Sequence, residues 1–286
     1  MKTSLKALGL LAILLTVVVI SGCGSSNAEG GNSSSEQENA TKPVAVQGAM
    51  DVEVSALLDE MEDYKTEQQG GYTFYVGEID DIPVVVSRTE VGMVHAAAST
   101  TLLIDEYEPK AIINQGTAGG HNPNIHVFDT IIGTEVMNIG SIKTDHLDDE
   151  KGMEPDSWHF MKTQMREDGD IKEVASFKSD PELVEKAWNV KEKYEYGNVV
   201  KGKIGSADVW NREIDRIQWF HEKAGTDAEE MEAASVAQVA EGFDIPYLSI
   251  RTVSNSEVTN DDIEDLEKAG QYGAEFAIEV VKEIGK

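Results

Sequence analysis

From Val44 onward, short apolar runs of strand character alternate with segments of helical spacing, and nothing in the chain constrains its fold more. Val44-Ala45-Val46-Gln47-Gly48 reads as a buried strand ending at a glycine. Residues 50–64 follow with apolar side chains at Met50, Val54, Leu57, Leu58 and Met61, the spacing of a helix. Strands are expected over 72–79 and 82–87, joined at Asp80-Asp81, then a helix over 93–107. A buried strand over 111–114 should open into the loop Gln115-Gly116-Thr117-Ala118-Gly119-Gly120, and 127–137 is rich in strand formers. Helices are expected over 181–194, 213–223, 229–241 and 263–284, with strands over 199–205 and 247–253. This order predicts an α/β fold with a largely parallel sheet, in one domain over 43–286. Residues 138–178 are polar and irregular, too long for a plain connection, and hold either a lid or elements with weak signals.

The first residues have another character. Lys2 and Lys6 precede an apolar run from Ala7 to Ile20, which is short for a membrane span and ends in small residues, as a secretory signal does. Its end, Ile20-Ser21-Gly22-Cys23, resembles the lipobox of bacterial lipoproteins, where the cysteine is lipidated and becomes the new N-terminus. The expectation is a signal peptide over 1–22 and a lipid-anchored Cys23. A flexible Ser/Gly/Asn/Glu tether would then cover 23–42. Acyl methylenes would hold the domain at the extracytoplasmic face of a bacterial membrane. Cys23 is the only cysteine, so an internal disulfide is excluded.

The net charge is −29, from 53 acidic and 24 basic residues, and such a surface repels nucleic acid. No cluster of Arg or Lys offers a pocket for an anionic substrate. Ligands of open α/β sheets bind beyond the carboxyl ends of strands. The segments 48–53, 115–120 and 251–255 end strands in this way, and Glu230-Met231-Glu232 opens a helix. Each also has a plain reading: carboxylates in a first helical turn favour the macrodipole, and the glycine loop matches neither a Walker loop nor G-x-G-x-x-G. Arg251 is less ordinary. A charge in an apolar strand requires a partner, and Glu232 is the expected one.

Five segments in order, QGAMDVEVSALL (47–58), VGMVHAAASTTLL (91–103), INQGTAGG (113–120), EEMEAASVAQVA (229–240) and IPYLSIRTVSN (245–255), resemble the nucleoside phosphorylase/nucleosidase superfamily. Among its members the chain is most similar to the 5′-methylthioadenosine/S-adenosylhomocysteine nucleosidases. The resemblance implies a three-layer α/β/α single domain with a twisted mixed sheet, usually a homodimer. It also implies cleavage of a purine nucleoside's N-glycosidic bond through an oxocarbenium-like state, with no metal or cofactor expected. By the same resemblance Glu53 activates the attacking water, Glu232 grips the ribose 2′- and 3′-hydroxyls and Met231 packs on the sugar. Ala49, Met50, Thr117, Ala118 and Gly119 line the site, and Arg251 and Ser254 precede the general-acid position. The residue chemistry agrees. Two acceptor oxygens suit a vicinal diol, and negative charge stabilises an oxocarbenium ion.

Two places depart from the family pattern. Phosphorylases of the superfamily commonly place an arginine before the glycine loop. Here the sequence reads Ile113-Asn114-Gln115, and the other candidate, Arg88, is followed by acidic Glu90, so water is the expected nucleophile. Adenine-specific nucleosidases place Asp where this chain has Asn255. An amide delivers no proton, although it can donate a hydrogen bond to N7 or to a 6-oxo group. Losing general-acid help costs about 10²–10⁴ in rate. Some superfamily phosphorylases with Asn there prefer 6-oxopurines, so the substrate is either of the methylthioadenosine/adenosylhomocysteine type or inosine- or guanosine-like. Glu90 and Met93 replace a usual glycine and lysine, and Val209 takes the place of the base-stacking aromatic, leaving that role to Trp210. Purine nucleoside phosphorolysis, and nucleoside binding with weak or no catalysis, remain the alternatives.

Overall fold

The computed structural model describes residues 42–261 and 266–286. The expected signal peptide, Cys23 and nearly all of the expected tether lie outside the described residues, as does the expected start of the last helix at Ile263.

The first strand, β1 (Val44–Gly48), is buried on both faces: Val44 and Val46 point into one hydrophobic layer and Ala45 into the other. That is the signature of an interior strand in a sheet covered on both sides. Around it the chain runs through α1 (Asp51–Glu60), β2 (Glu62–Gln69), β3 (Tyr72–Ile79), β4 (Ile82–Arg88), α2 (Met93–Tyr107), β5 (Ala111–Gly120) and β6 (Thr130–Asn138). Short strands β7 (Ile142–Thr144), β8 (Trp158–Phe160), β9 (Thr163–Glu167), β10 (Asp170–Val174) and β11 (Phe177–Lys178) follow. The remainder is α3 (Pro181–Asn189), β12 (Val199–Ser206), α4 (Ile214–Ala224), β13 (Ala228–Glu230), α5 (Ala233–Gly242), β14 (Tyr247–Asn255) and α6 (Leu266–Ile284).

The main sheet is mixed, with strand order β11-β6-β12-β13-β5-β1-β4-β3-β2 and β14 paired to both β5 and β6. β1 runs parallel to β4 and β5, β14 parallel to β5, and β12 parallel to β6 and β13. The β2–β3–β4 meander, and the β13–β5, β14–β6 and β11–β6 pairs, are antiparallel. Strands β5, β14, β6, β12 and β13 therefore close on one another in a ring. Helices α1, α3 and α6 bury their apolar faces on one side of the sheet, against Val44, Val46, Ile113 and Ile250. Helices α2 and α5 do so on the other, against Ala45, Ile112 and Val253. Each fully buried side chain of this size contributes about 1.5–3 kcal/mol, so this double layer dominates the stabilising terms.

Four expectations are corrected. The helix expected over 50–64 stops at Glu60, because 62–69 carries no apolar stripe to bury and pairs instead as the exposed edge strand β2. The expected loop 115–120 is strand: β14 runs beside it and pairs from Tyr247↔Ile112 to Val253↔Ala118, so its backbone groups have a ladder to join. The helix expected from Glu229 begins at Ala233, since Ala228–Glu230 is a strand against β5 and β12. The helix expected over 181–194 ends at Asn189 and gives way to a 3-10 turn, Lys191–Lys193. Residues 138–178 hold weak-signal elements: two small hairpins, β7–β8 and β9–β10, with Trp158 and Phe160 of β8 packed on Trp219 of α4.

Candidate active site

The pairing of β1 with β5 stops at Gln47↔Asn114, while β1 continues beside β4 to Gly48↔Arg88. The strand ends thus part where α1 begins, opening a crevice beyond their carboxyl ends. Glu53, in the first turn of α1, folds its carboxylate back into that gap. Oε2 accepts from the backbone N–H of Ala49 (2.7 Å) and Met50 (3.1 Å). Oε1 accepts from the Thr117 N–H (2.8 Å) and hydroxyl (3.1 Å). Only 1 % of Glu53 is exposed, and four donors saturate its lone pairs. A water brought to this carboxylate must replace one of them, and the Thr117 hydroxyl is the one free to rotate away. Gly116 makes the arrangement possible. A Cβ there would stand 2.8 Å from Glu53 Oε1 and 2.4 Å from Arg251 Nη1.

A second acidic group is assembled where β13 meets α5. Glu230, on the strand, caps the helix: Oε2 accepts from the N–H of Glu232 (2.9 Å) and Ala233 (2.8 Å), and the Ser206 hydroxyl donates to Oε1. Glu230 is also the main partner of Arg251, at 2.6 Å, whereas Glu232 lies 3.9 Å from the guanidinium. The expected Arg251–Glu232 pairing is present as the longer of two, with Glu230 the nearer partner. Because 228–230 is strand, Glu230 faces β14 across the ring and Glu232 sits beyond it, at the helix N-cap. Arg251, also bonded to the Asn114 side chain, is 1 % exposed and does not line the pocket. Its expected contact with substrate gives way to the role of buried countercharge. Glu232 does line the pocket, and its Oε1 accepts from the Gly92 N–H (2.9 Å). Burial, then the neighbouring charge of Glu230, pushes its carboxyl up to about 8, against the pull of Arg251.

The same pocket is lined by the expected Ala49, Met50, Thr117, Ala118, Gly119, Trp210, Met231, Ser254 and Asn255. Asn255 ends β14, and its Oδ1 accepts from the Ser254 hydroxyl at 3.0 Å, which turns the amide NH₂ away from that serine. Trp210, 59 % exposed, stands on the 207–213 segment with its indole at the pocket edge. Glu257 also lines the wall, but Arg212 holds it at 2.6 Å. Sequence reasoning missed Glu229, His121 and Asn211, which line the pocket as well. Its one available signal was the doublet Glu229-Glu230. Two adjacent acids on a strand point to opposite faces, so each needs its own buried partners.

Arg88, the candidate for phosphate, is committed elsewhere. Its Nη1 lies 2.7 Å from Asp51, its Nη2 2.8 Å and its Nε 3.0 Å from Glu90. Among the described residues lining the pocket there is neither arginine nor lysine.

Comparison with known proteins places these features in a family. The pattern of the phosphorylase superfamily matches residues 43–284. A 5′-methylthioadenosine/S-adenosylhomocysteine nucleosidase of Bacillus thuringiensis subsp. konkukian is 32 % identical over 247 residues, covering 84 % of this chain and 99 % of that protein. The crystal structure of the corresponding nucleosidase from Neisseria meningitidis, in complex with methylthio-immucillin-A, aligns with a TM-score of 0.69 at 30 % identity, covering 84 % of this chain and 99 % of that one. That from Colwellia psychrerythraea 34H, in complex with adenine, aligns with a TM-score of 0.69 at 25 % identity, covering 85 % and 95 %. With its ringed mixed sheet, and with Glu53 and Glu232 facing one pocket, the chain belongs to the phosphorylase superfamily and, within it, to the family of the 5′-methylthioadenosine/S-adenosylhomocysteine nucleosidases.

Proposed function

We propose that this protein hydrolyses the N-glycosidic bond of a purine nucleoside, releasing the free base and the sugar. The observation that carries this reading is the convergence of Glu53, Met231 and Glu232 on one pocket whose lining, among the described residues, includes no arginine or lysine. Glu232 takes the sugar diol, with the Gly92 N–H fixing one of its oxygens. Met231 packs against the ribose. Glu53 orients and deprotonates the attacking water once the Thr117 hydroxyl yields its place. Positive charge developing on the sugar is met by the Glu53 carboxylate, in a site where burial strengthens every such interaction. Phosphate is disfavoured as nucleophile, because Arg88 is already neutralised by Asp51 and Glu90 and Arg251 by Glu230.

Asn255 supports a second reading, nucleoside binding with weak turnover, since an amide lends the leaving base a hydrogen bond but no proton. One experiment separates the two. The purified chain is incubated with methylthioadenosine, adenosylhomocysteine, adenosine, inosine and guanosine, with and without phosphate, and free base is measured by chromatography. Base release without phosphate is expected. Binding with no release would sink the hydrolase reading, and a strict phosphate requirement would replace hydrolysis by phosphorolysis.

The proposal extends to where the enzyme works. The Ala7–Ile20 run and Ile20-Ser21-Gly22-Cys23 support lipidation at Cys23 and tethering at the extracytoplasmic face of a bacterial membrane. Exposed Val91, which lines the pocket, and exposed Val94 on α2 support a homodimer. Membrane partition that survives Cys23→Ala, or a monomer by light scattering, would remove the respective part.

A further inference from the structure

Strand β5 holds the proposed general base, Glu53, at two levels. Residues 115 and 117 of the strand point to the same face, because side chains alternate. Thr117 binds the Glu53 carboxylate with its N–H and its hydroxyl. Gln115 reaches the same residue at its main chain, where the side-chain Nε2 donates to the Glu53 carbonyl oxygen. Both contacts cross from the strand to the first turn of α1, more than sixty residues earlier in the chain.

Gln115 is fully buried, and its Oε1 has no hydrogen-bond partner among the described residues. An apolar side chain of the same shape would avoid that penalty. The helix does not require the bond either, because a carbonyl in its first turn already accepts from the N–H four residues on. Two glycines clear the space for the amide. A Cβ at Gly48, at the end of β1, would stand 3.0 Å from Gln115 Nε2 and 2.9 Å from the Glu53 Cβ. One at Gly273, on α6, would stand 3.4 Å from Gln115 Oε1. The amide is thus wedged between β1 and α6, and its nitrogen is spent on the backbone of Glu53.

We propose that Gln115 is a positioning residue for the reaction, an inference that rests on the hydrolase reading above. It fixes the first turn of α1, so that the Glu53 carboxylate keeps its aim when a water displaces the Thr117 hydroxyl. The carboxylate then keeps three donors, the N–H groups of Ala49, Met50 and Thr117. Ala49 and Met50 lead directly into the same helical turn, so they move with Glu53 rather than restrain it. Gln115 ties that turn to the interior of the sheet instead, where β1 and β14 flank β5. A reacting group misplaced by about 1 Å loses on the order of 100-fold in rate. Gln115 does not itself line the pocket, so its effect on the reaction passes through Glu53.

The test is Gln115→Met in the full chain, which keeps length and burial and removes the donor. On the nucleoside that the parent cleaves best, kcat should fall by about 10- to 100-fold with KM nearly unchanged. In a Glu53→Gln background the same substitution should lower the residual kcat little further, because the group it positions is already gone. An unchanged kcat, a loss confined to KM, or an equal fold-loss in both backgrounds overturns the inference. Hydrogen exchange gives a readout independent of turnover. The N–H groups of Ala49, Met50 and Thr117 should exchange faster in Gln115→Met, while that of Ile112, bonded to the Pro246 carbonyl, exchanges as in the parent. If the parent cleaves no nucleoside, the hydrolase reading fails, and the exchange still decides whether Gln115 holds Glu53. Unchanged exchange, or faster exchange at Ile112 as well, overturns it. Where Gln115→Met does not fold, Gln115→Glu carries the test, since its neutral acid keeps a donor and its ionised form has none. Its kcat relative to the parent should fall about tenfold or more as pH is raised from about 5 to about 9, and a constant ratio overturns the inference.

Discussion

At one end of the pocket, Glu53, Glu230 and Glu232 surround a single buried guanidinium, Arg251. At the other, Glu229 takes two hydrogen bonds from Asn211 and lies 3.2 Å from the His121 imidazole. The first end carries excess negative charge, which under the proposed function suits a sugar that becomes cationic. The second is built of hydrogen-bonding groups, which under the same proposal suits a neutral ring. Placing both on neighbouring residues of β13 and α5 shows how strand alternation serves two chemistries, since Glu229 and Glu230 point to opposite sides of one short strand.

The sharpest break in this contrast is Glu53→Gln. It leaves the second end untouched and should lower kcat by about 10²–10⁴ while base binding persists, measured by base release and calorimetry. A loss below tenfold would remove Glu53 from the chemistry. Next comes Arg251→Met, which strands three acids without their countercharge and should destabilise the fold by about 3–5 kcal/mol in denaturant unfolding. Unchanged stability would show that the acids share protons instead. Asn255→Asp sharpens the other end. Restoring a titratable acid should raise turnover of 6-aminopurine nucleosides by about tenfold or more, and no gain would mean that the pocket departs from the adenine-specific pattern elsewhere too.

The smallest effect concerns pH. The folded chain holds the Glu232 proton up to about 8, whereas an unshifted glutamic acid loses it near 4.5, through burial and the charge of Glu230. The folded state therefore binds more protons, and this group's contribution to stability is full below about 4.5 and lost as pH rises to about 8. Glu232→Gln should remove that loss, melting about 2–4 °C above the parent at pH 8.5 and equal to it at pH 4.5. Parallel melting curves at both pH values would contradict it. The same variant should weaken ribonucleosides more than 2′-deoxynucleosides.

Much of the layout was legible beforehand. Apolar periodicity located β1, β3, β4, α2 and β14, because each buries a continuous face and the period of that face is written in the residues. It failed where no face is buried. Residues 62–69 have no apolar pattern, and only the free edge of β3 makes them a strand. It failed again where glycines end an apolar run. Gln115 to Gly120 read as loop, yet β14 extends the ladder through them. For the site, Glu53, Glu232 and Asn255 were found through segments resembling a known family. Glu229, His121 and Asn211 were not, since nothing local tells a buried acid from an exposed one.

The sequence alone determined the α/β class, the segments that approach substrate and the presence of an amide at position 255, because periodicity and residue chemistry are local properties. Which carboxylate stands nearest Arg251, and that Glu229 joins the pocket wall, was decided only when β5, β14 and β13 closed on one another. Burial and partnership depend on neighbours far apart in the chain, and Gly119 pairs with both Glu229 and Asn255 although they are 26 residues apart in the sequence.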